Sequence, residues 1–487
     1  MDKSQIKTQK FIIKYFTEIM IKGTTAKRQM IAQVYNNINS ILSKVSSDIT
    51  IKKFFDKVEI VCPIEVVAVV RQRLLDTPGI QQILEAIQFD NMHTLDDIKV
   101  KVNEICASEI QGKTFVIRAK RTGTQEFKSI QIEQTVGGYM LAMNSDSKGV
   151  SLKNPEVTIN IELEHHQLNI ITYKHLGMGG FPIGTQGSVL SLMSGGFDST
   201  VASYLTMKRG IKTHFIFFNL GGVAHEIGVK QVAYYLWNKF GSSHRVSFIS
   251  IPFDDVVTEI FKSVSEPYMG VMLKRLMLKA SEKVADSMGI DALITGESVA
   301  QVSSQTLRNL ALIDQVTNKL VLRPLSMMSK PDIIDIAYKI GTRRFAEAMP
   351  EYCGVISKNP VTHGSYERME KEASHFDYSI LDEAVKKSVF VNVDEIDQDV
   401  NEIGQMEIVN DLSSGEYTVI DIRQSADCIK TSVETIKIPF YNLKNEFKKL
   451  PQDKTYLFYC DKGILSQLHA QFLRDSENYT NIKVYRP

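Results

Sequence analysis

The residues best suited to chemistry form one run, Ser194-Gly195-Gly196-Phe197-Asp198-Ser199, between an apolar and an amphipathic stretch. The pattern predicts a strand over 189–193, a turn, and a helix over 200–209 that Gly210 ends. A glycine-rich turn from a strand into a helix directs backbone N–H groups and the positive helix end at one space, which suits phosphate oxygens. The alternative is a tight turn that merely requires glycine, and the full run weighs against it.

Two common nucleotide motifs are absent from this run. Neither the GxxxxGK[ST] spacing of the Walker-type phosphate loop nor the GxGxxG dinucleotide fingerprint occurs there. A nucleotide bound here would therefore be held by bare amides and by the hydroxyls of Ser194 and Ser199. Asp198 is the acidic residue of the run and the candidate catalytic group.

Two of the five cysteines lie in surroundings that suit sulfur chemistry. Cys460 ends an apolar strand and precedes a helix predicted over 466–474, so a thiolate there faces amides that lower its pKa. A buried, inert cysteine is the alternative, and the sequence leaves the two interpretations even. Cys353 lies among small, turn-prone residues and is expected in an exposed loop. The other three, Cys62, Cys106 and Cys428, are interpreted as structural, and no zinc-type spacing occurs.

Cations are concentrated in one stretch of the first half of the chain, where two phenylalanines accompany them. These residues are Lys113, Phe115, Arg118, Lys120, Arg121, Phe127 and Lys128. Such a stretch can follow the phosphates of a nucleic acid. The alternative, which composition alone favours, is an ordinary solvated strand edge.

The surrounding elements predict an α/β multidomain fold. The chain starts with strand, helix, strand, helix up to about Val69, and a second α/β unit follows to Lys174. A glycine-rich connector over 175–187 is expected to be a loop. Alternating strands and helices from 189 to about 348 predict a parallel sheet with crossover helices. The charged segment 358–401 is expected to form a helix and a solvated linker before a short last unit.

Composition restricts the class of protein. A chain of 487 residues with 43% hydrophobic residues is expected to form about three or four domains. The formal charge of +1 neither supports nor excludes a nucleic-acid partner. The polar N-terminus and the absence of a long apolar run predict a cytoplasmic protein without a membrane span.

The run SGGFDS resembles the PP-loop of ATP pyrophosphatases, which cleave ATP between the α and β phosphates and adenylate an oxygen of a substrate. Nearly the whole chain is similar to the tRNA sulfurtransferases that make 4-thiouridine. The segments that carry this resemblance are HFIFFNLGGVAHEIG, YMGVMLKRLM, LITGESVAQVSSQTL and MPEYCGVISKNP, at 214–228, 268–277, 293–307 and 349–360. It implies a ferredoxin-like domain (1–69), a THUMP domain (70–174), a Rossmann-like PP-loop domain (175–400) and a rhodanese-like domain (401–487).

The resemblance also implies the residues of the nucleotide site. The backbone of Leu192 and Met193 is expected to contact the adenine, and Lys274 a phosphate. Gly296 and Gln305 are implied as further ATP contacts. The pyrophosphate is expected on Ser194, Gly195, Gly196, Asp198 and Ser199. A magnesium ion is expected with ATP, and no metal site is expected from the protein alone.

The implied reaction is adenylation of O4 of the uridine at position 8 of tRNA, followed by sulfur transfer from a persulfide on Cys460. Cys353 then closes a disulfide with Cys460, since release of a persulfide's outer sulfur requires a resolving nucleophile. A single-thiol route through free sulfide is the competing mechanism. Leu465 stands where many rhodaneses have arginine, which argues against thiosulfate as the donor.

The implied partners are tRNA, a cysteine desulfurase as the persulfide donor, and a sulfur-carrier protein of thiazole synthesis in thiamine formation. An alternative function is a persulfide relay to a carrier protein, with tRNA binding incidental. A PP-loop amidotransferase is disfavoured because no glutaminase-like domain accompanies the loop.

Overall fold

The computed structural model describes residues 8–123, 126–220, 222–347, 359–396, 406–423, 428–438 and 443–460, and within the last part of the chain 466, 469–470, 473–474 and 479–487. They belong to two compact units, Met1–Thr185 with Lys208–Gly210, and Gln186–Met207 with Ile211–Pro487. Both units combine helices with sheets, which confirms the predicted α/β class. Cys353 and Leu465 lie outside the described residues.

The first unit is built on one mixed eight-stranded sheet. Its strands are β1 (Thr8–Tyr15), β2 (Thr50–Lys53), β3 (Lys57–Pro63), β4 (Ile80–Phe89), β5 (Thr114–Thr122), β6 (Gly149–Val150), β7 (Val157–Glu164) and β8 (Gln167–Gly179). Its helices are α1 (Thr17–Met20), α2 (Thr24–Leu42), α3 (Val67–Leu75), α4 (Leu95–Cys106) and α5 (Ser129–Met143). The strand order is β2-β3-β1-β4-β8-β7-β5-β6.

Two helix pairs cover the two halves of this sheet. In the first half, Val34 and Ile38 of α2 are buried in one cluster with Phe11 and Ile60, because their helical spacing places them on one face. The strand and helix order there is that of a ferredoxin-like fold. In the second half, α4 and α5 form a separate core with β5, β7 and β8. The two halves share one sheet through the antiparallel pairing of β4 with β8.

The prediction of a loop over 175–187 is partly wrong. Strand β8 continues to Gly179, because residues as far as Gly179 pair with β4, down to Ile80. The expected positive-φ backbone is present at Gly179, Gly180, Gly184 and Gly187. The domain boundaries stay predictions, and α3 spans the one proposed between 69 and 70.

The second unit contains a six-stranded sheet that carries the glycine-rich turn. Its strands are β9 (Ser188–Leu192), β10 (Lys212–Asn219), β11 (Ser247–Pro252), β12 (Ala292–Ile294), β13 (Leu320–Leu322) and β14 (Val389–Asn392). Its helices are α6 (Phe197–Lys208), α7 (Gly222–Leu236), α8 (Asp254–Ser263), α9 (Met269–Ser287), α10 (Leu307–Asp314), α11 (Lys330–Ile340), α12 (Arg343–Ala346), α13 (Tyr366–Ser374) and α14 (Tyr378–Lys386). The order is β13-β12-β9-β10-β11-β14, parallel except for β14, which confirms the expected parallel sheet with crossover helices.

The segment 358–401 is more than a helix and a solvated linker. Its described part forms α13, α14 and the edge strand β14, which pairs antiparallel with β11. Met369 and Leu381 are buried in the same core as α9. The apolar side chains of this segment are spaced as in amphipathic helices, and the intervening charges hide that spacing in the sequence.

A third sheet lies in the C-terminal part of the chain and is parallel throughout. Its strands are β15 (Ile408–Val409), β16 (Tyr417–Asp421), β17 (Thr435–Lys437), β18 (Thr455–Tyr459) and β19 (Ile482–Tyr485), and α15 (Leu443–Phe447) packs with them. The order is β15-β19-β18-β16-β17. Among the described helices of the whole chain, none combines the length and apolar character that crossing a membrane requires.

Candidate functional site

The glycine-rich turn joins β9 to α6, as predicted, but the helix begins earlier than expected. It starts at Phe197 rather than at residue 200, because the backbone N–H and the hydroxyl of Thr200 both donate to Gly196 O, at 3.3 and 2.7 Å. Asp198 and Ser199 therefore lie in the first helical turn. The N–H groups of that turn have no acceptor within a helix, which leaves them available to an anion.

The turn itself is compact but not filled. Gly195 has a φ of 80°, a left-handed conformation that glycine adopts without strain. The backbone N–H of Ser194 donates to Ser199 Oγ (3.2 Å), and the two hydroxyls are 3.1 Å apart. A Cβ built on Gly196 would meet nothing within 4 Å except Ser194 Oγ, at 3.7 Å. The space above Gly196 is open to a ligand.

Gly296 follows β12 and packs directly on the start of α6. A Cβ at this position would lie 2.5 Å from Ser199 N and 2.6 Å from the carbonyl carbon of Asp198, closer than any real side chain comes. Strands β9 and β12 are parallel neighbours, so their carboxyl ends meet at one edge. Strand β9 lies between β10, which follows it in the chain, and β12. The strand order therefore changes direction at β9, and open α/β sheets bind ligands at such a switch point.

Asp198 has two partners that the sequence analysis missed. Lys330 Nζ lies 2.8 and 2.9 Å from its two carboxylate oxygens, and Gln301 Nε2 donates to Oδ2 at 3.0 Å. Lys330 opens α11, whose N-cap is Ser329. A polar side chain and a cation thus converge on the carboxylate at the end of the turn.

Lys274 is part of a chain of ion pairs. Its ammonium lies 2.7 Å from Glu297 Oε1, and Arg323 Nε lies 2.8 Å from Glu297 Oε2. Arg323 also makes two bonds to Asp314. Burial opposes ionisation of Glu297, but the two cations hold the pKa of this carboxyl below its usual range.

Gln305, Leu192 and Met193 are the remaining residues implied as nucleotide contacts. Gln305 is 8% exposed, and its Oε1 has no hydrogen-bond partner among the described residues. A buried acceptor without a partner is costly, and a ligand donor would satisfy it. The backbone N–H of Met193 donates to Ile216 O at 2.8 Å, and Leu192 lies in register with the same strand. The Met193 N–H is thus already used within the sheet, and the features that fit a nucleotide are the open space at Gly196 and the unsatisfied Gln305 Oε1.

Cys460 directly follows β18, at the carboxyl end of the third sheet. The backbone N–H of Ser466 donates to its Sγ (3.3 Å), and Ser466 Oγ lies 3.4 Å from the same sulfur. The described residues 466, 469–470 and 473–474 are helical, and the N–H that donates to the sulfur belongs to the first of them. The side chain is buried, at 7% exposure.

The structure also places the other sequence-predicted cysteines. Cys62 and Cys106 are buried, and burial raises the pKa of their thiols to about 11 and about 12, which suits structural roles. Cys428 is exposed, and its interpretation as a structural residue stays a prediction. No group of three or more metal-ligating side chains occurs within the part of the chain that is described.

Only some side chains of the cationic stretch around β5 lie at the surface. Arg118, Lys120 and Lys128 are exposed, but Phe115 is fully buried in the core of α4 and α5, so it cannot be part of a binding surface. Alternation along β5 explains this, since residues of opposite parity point to opposite faces. The pKa of Lys174 in β8 is lowered by burial and by the nearby positive charge of Lys120. These two cations therefore lie close to each other.

Lys330, Arg323, Glu297 and Gln301 are therefore the polar groups that sequence reasoning missed. The sequence offered one signal, since Glu297 directly follows Gly296 at the end of a predicted strand. The cations come from distant segments, and only the strand order brings them together.

Comparison with protein families assigns each part of the chain. The family described as "Thiamine biosynthesis protein (ThiI)" matches residues 184–378, and its ferredoxin-like domain matches residues 10–83. The THUMP domain matches residues 92–172, and the rhodanese-like domain matches residues 405–486. The implied types of domain are confirmed.

Whole-length relatives and solved structures agree with this assignment. A tRNA sulfurtransferase of Shewanella piezotolerans is 44% identical, and one of Saccharophagus degradans 43%; each alignment covers 98% of this chain and 100% of the relative. A crystal structure described as a 4-thiouridine synthetase–RNA complex with bound ATP has a TM-score of 0.70 at 25% identity, covering 79% of this chain and 100% of that one. A Pyrococcus horikoshii Ot3 protein, at 20% identity and a TM-score of 0.53, shares the fold over 68% of this chain and 99% of its own.

Proposed function

Because the chain belongs to the tRNA sulfurtransferase family, we propose that it uses ATP to convert uridine at position 8 of tRNA into 4-thiouridine. The observation that carries this proposal is the turn at Ser194–Ser199. It presents open glycine backbone and the start of α6, and its carboxylate, Asp198, is bound by Lys330. This arrangement suits an ATP whose pyrophosphate must be held and released.

The residues of this site divide the work of adenylation. The amides of the first turn of α6, with Ser194 and Ser199, bind the β and γ phosphates as O4 of the uridine attacks the α phosphorus. Lys330 and Lys274 offset the charge that develops on the leaving pyrophosphate. A Mg²⁺ ion carried by the phosphates needs few protein ligands, and Asp198 is the carboxylate of the turn that can supply one.

Cys460 is the proposed carrier of sulfur. A cysteine desulfurase transfers a persulfide sulfur to its thiolate, and the Ser466 N–H stabilises negative charge on Sγ. The terminal sulfur attacks C4 of the adenylated uridine, and AMP leaves. Cys353 then attacks Sγ of Cys460, which frees 4-thiouridine and leaves a disulfide that a two-electron reductant must open.

A second function is proposed because the matching family is described by thiamine biosynthesis. The same persulfide on Cys460 would pass its sulfur to a carrier protein of thiazole synthesis. This step requires Cys460 but not the activation of a uridine. An Asp198→Ala variant that still supports thiamine formation would separate the two branches.

The experiment is an assay for 4-thiouridine in tRNA by mass spectrometry, on purified Asp198→Ala and Cys460→Ala proteins. Asp198→Ala removes the carboxylate that Lys330 and Gln301 contact, so we expect at least a 100-fold loss of thiolation while tRNA binding stays within about twofold. Cys460→Ala should retain adenylation, measured as ATP–pyrophosphate exchange, but lose multiple turnover. Normal 4-thiouridine formation by the Asp198 variant would rule out the proposed activation step.

A further inference from the structure

The loop after Gly296 contains one residue in a strained conformation. Ala300 has a φ of 66°, a left-handed backbone that its Cβ disfavours. The other described non-glycine residues with positive φ are Asn91 and His165, whose side chains tolerate this conformation better. A strained backbone persists only where its surroundings hold it, so this loop must be fixed by neighbouring contacts.

The strained residue directly precedes the segment that carries the two glutamines of the site. Gln301, next in the chain, donates to Asp198 Oδ2. The N–H of Ala300 donates to Gln305 O (2.9 Å), and Gln305 N donates to Val302 O (2.8 Å), which closes the turn that holds the orphaned Gln305 Oε1. The shape of the 300–305 loop therefore sets where both glutamine side chains lie.

Asn309 is hydrogen-bonded to this loop through its side chain. Its side chain is fully buried, and its Nδ2 donates to Ser303 O and to Val361 O, both at 2.8 Å. Its Oδ1 accepts the N–H of Gly364 at 3.1 Å. One carboxamide thus uses both of its donor hydrogens and its acceptor to join the loop to the segment 361–364.

That segment is itself fixed at several points. Thr306 Oγ1 donates to Thr362 O (2.8 Å), and Arg308 Nε donates to Gly364 O (3.0 Å). Gly364 is closely surrounded, since a Cβ there would lie 2.6 Å from Leu312 Cδ1 and 3.1 Å from Asn309 Oδ1 and would force these side chains to shift. The segment therefore forms a firm support against which Asn309 can hold the loop.

We propose that Asn309 is a positioning residue for ATP binding: it clamps the 300–305 loop in a conformation that Ala300 resists, and so aims Gln301 and Gln305 at the nucleotide. This inference rests on the proposed function. Without the clamp, the loop relaxes to relieve the backbone at Ala300, and Gln305 leaves its place. A glycine at position 300 removes the cause of that relaxation.

The first measurement is ATP affinity by calorimetry on the full chain. Asn309→Ala should weaken ATP binding about tenfold or more, Ala300→Gly should leave it within about twofold, and the double variant should recover at least half of the loss on a logarithmic scale. The matched control is Asn37→Ala, since Asn37 is 2% exposed, donates to Ile183 O and lies in the first unit. It should lower thermal stability without changing ATP affinity.

The second measurement is hydrogen exchange of the Ala300 amide, which does not depend on ATP. Asn309→Ala should speed this exchange at least about tenfold, and Asn37→Ala should not. If Asn309→Ala does not fold, Asn309→Asp takes its place, because aspartate still accepts from Gly364 but can donate to at most one of the two carbonyls, and only when protonated.

The outcomes separate the two proposals. Unchanged exchange and affinity in the Asn309 variants overturn the clamp. A loss of affinity that Ala300→Gly does not reverse assigns Asn309 a general structural role and also overturns it. Faster exchange in a protein whose parent form does not bind ATP supports the clamp on the loop and contradicts the proposed function.

Discussion

At the scale of single residues, Glu297 is the buried charge on which the cations of the site depend. It is 7% exposed and pairs with Lys274 on one side and Arg323 on the other. Arg323 pairs with Glu297 independently of Lys274, so the proposed turn of Lys274 toward a phosphate would not leave this buried carboxylate unpaired. One carboxylate thus holds Lys274 in place.

We expect Glu297→Gln to lower the free energy of unfolding by about 2–4 kcal/mol at pH 7, because it removes the anion between two partly buried cations. The pKa of Glu297 is lowered in the folded protein, so its contribution is present above the usual glutamate pKa and is lost as the pH falls through the folded value. The difference between the parent and the variant should therefore shrink at acidic pH. Urea denaturation from pH 3 to pH 8 measures it.

The control for this prediction is Glu383→Gln, which breaks an exposed pair with Lys386. Surface pairs contribute little, so this change should cost less than about 1 kcal/mol. A pH-independent difference for Glu297→Gln would show that its charge does not stabilise the fold.

At the scale of elements, the site depends on the closeness of two strand ends. Strands β9 and β12 are parallel neighbours, and the glycine after β12 lets its backbone meet the first turn of α6. The contact between Gly296 and the first turn of α6 is what holds the glycine-rich turn in place. Gly296 is therefore required by space, since its φ is not in the left-handed region.

We expect Gly296→Ala to destabilise the protein by about 1–3 kcal/mol and to weaken ATP binding about tenfold, because the new methyl group meets backbone atoms that cannot move aside. Thermal unfolding and calorimetry measure the two effects. Gly270→Ala is the matched control, since a Cβ at that position in α9 meets nothing within 4 Å and should slightly stabilise the helix. Equal effects of the two changes would contradict the argument from space.

Much of this arrangement could be predicted from sequence because its signals are local. The residues of the turn at 194–199 are consecutive, as are those of the strand before Cys460, and glycine and apolar residues mark these two runs. Lys330 and Arg323 could not be predicted, because their partners are distant and no local pattern encodes ion pairing. The segment with Met369 and Leu381 was misjudged because exposed charges are interspersed among its buried residues.

At the scale of the whole molecule, the chemistry is divided between sheets. The nucleotide turn and Cys460 each lie at the carboxyl end of a parallel strand in the second unit, whereas the exposed cations lie on the sheet of the first unit. Under the proposed function, we therefore expect substrate binding and bond making to be separable by mutation.

We expect Lys120→Glu to weaken tRNA binding about tenfold and to reduce its salt dependence, while ATP affinity stays unchanged, because protein–RNA affinity comes largely from cations near phosphates. Filter binding at several salt concentrations measures this. Lys262→Glu, at an exposed position of α8 in the second unit, is the control and should have little effect. Equal losses from both variants would indicate only a change in total charge.

The antiparallel strand β14 has a consequence for how the protein is made. The sheet that carries the nucleotide turn is complete only when Val389–Asn392 has paired with β11, although β11 was synthesised long before. A nascent chain that has reached residue 348 therefore still exposes one edge of that sheet. A fragment intended to bind ATP must extend through Asn392, and one that ends earlier is expected to aggregate.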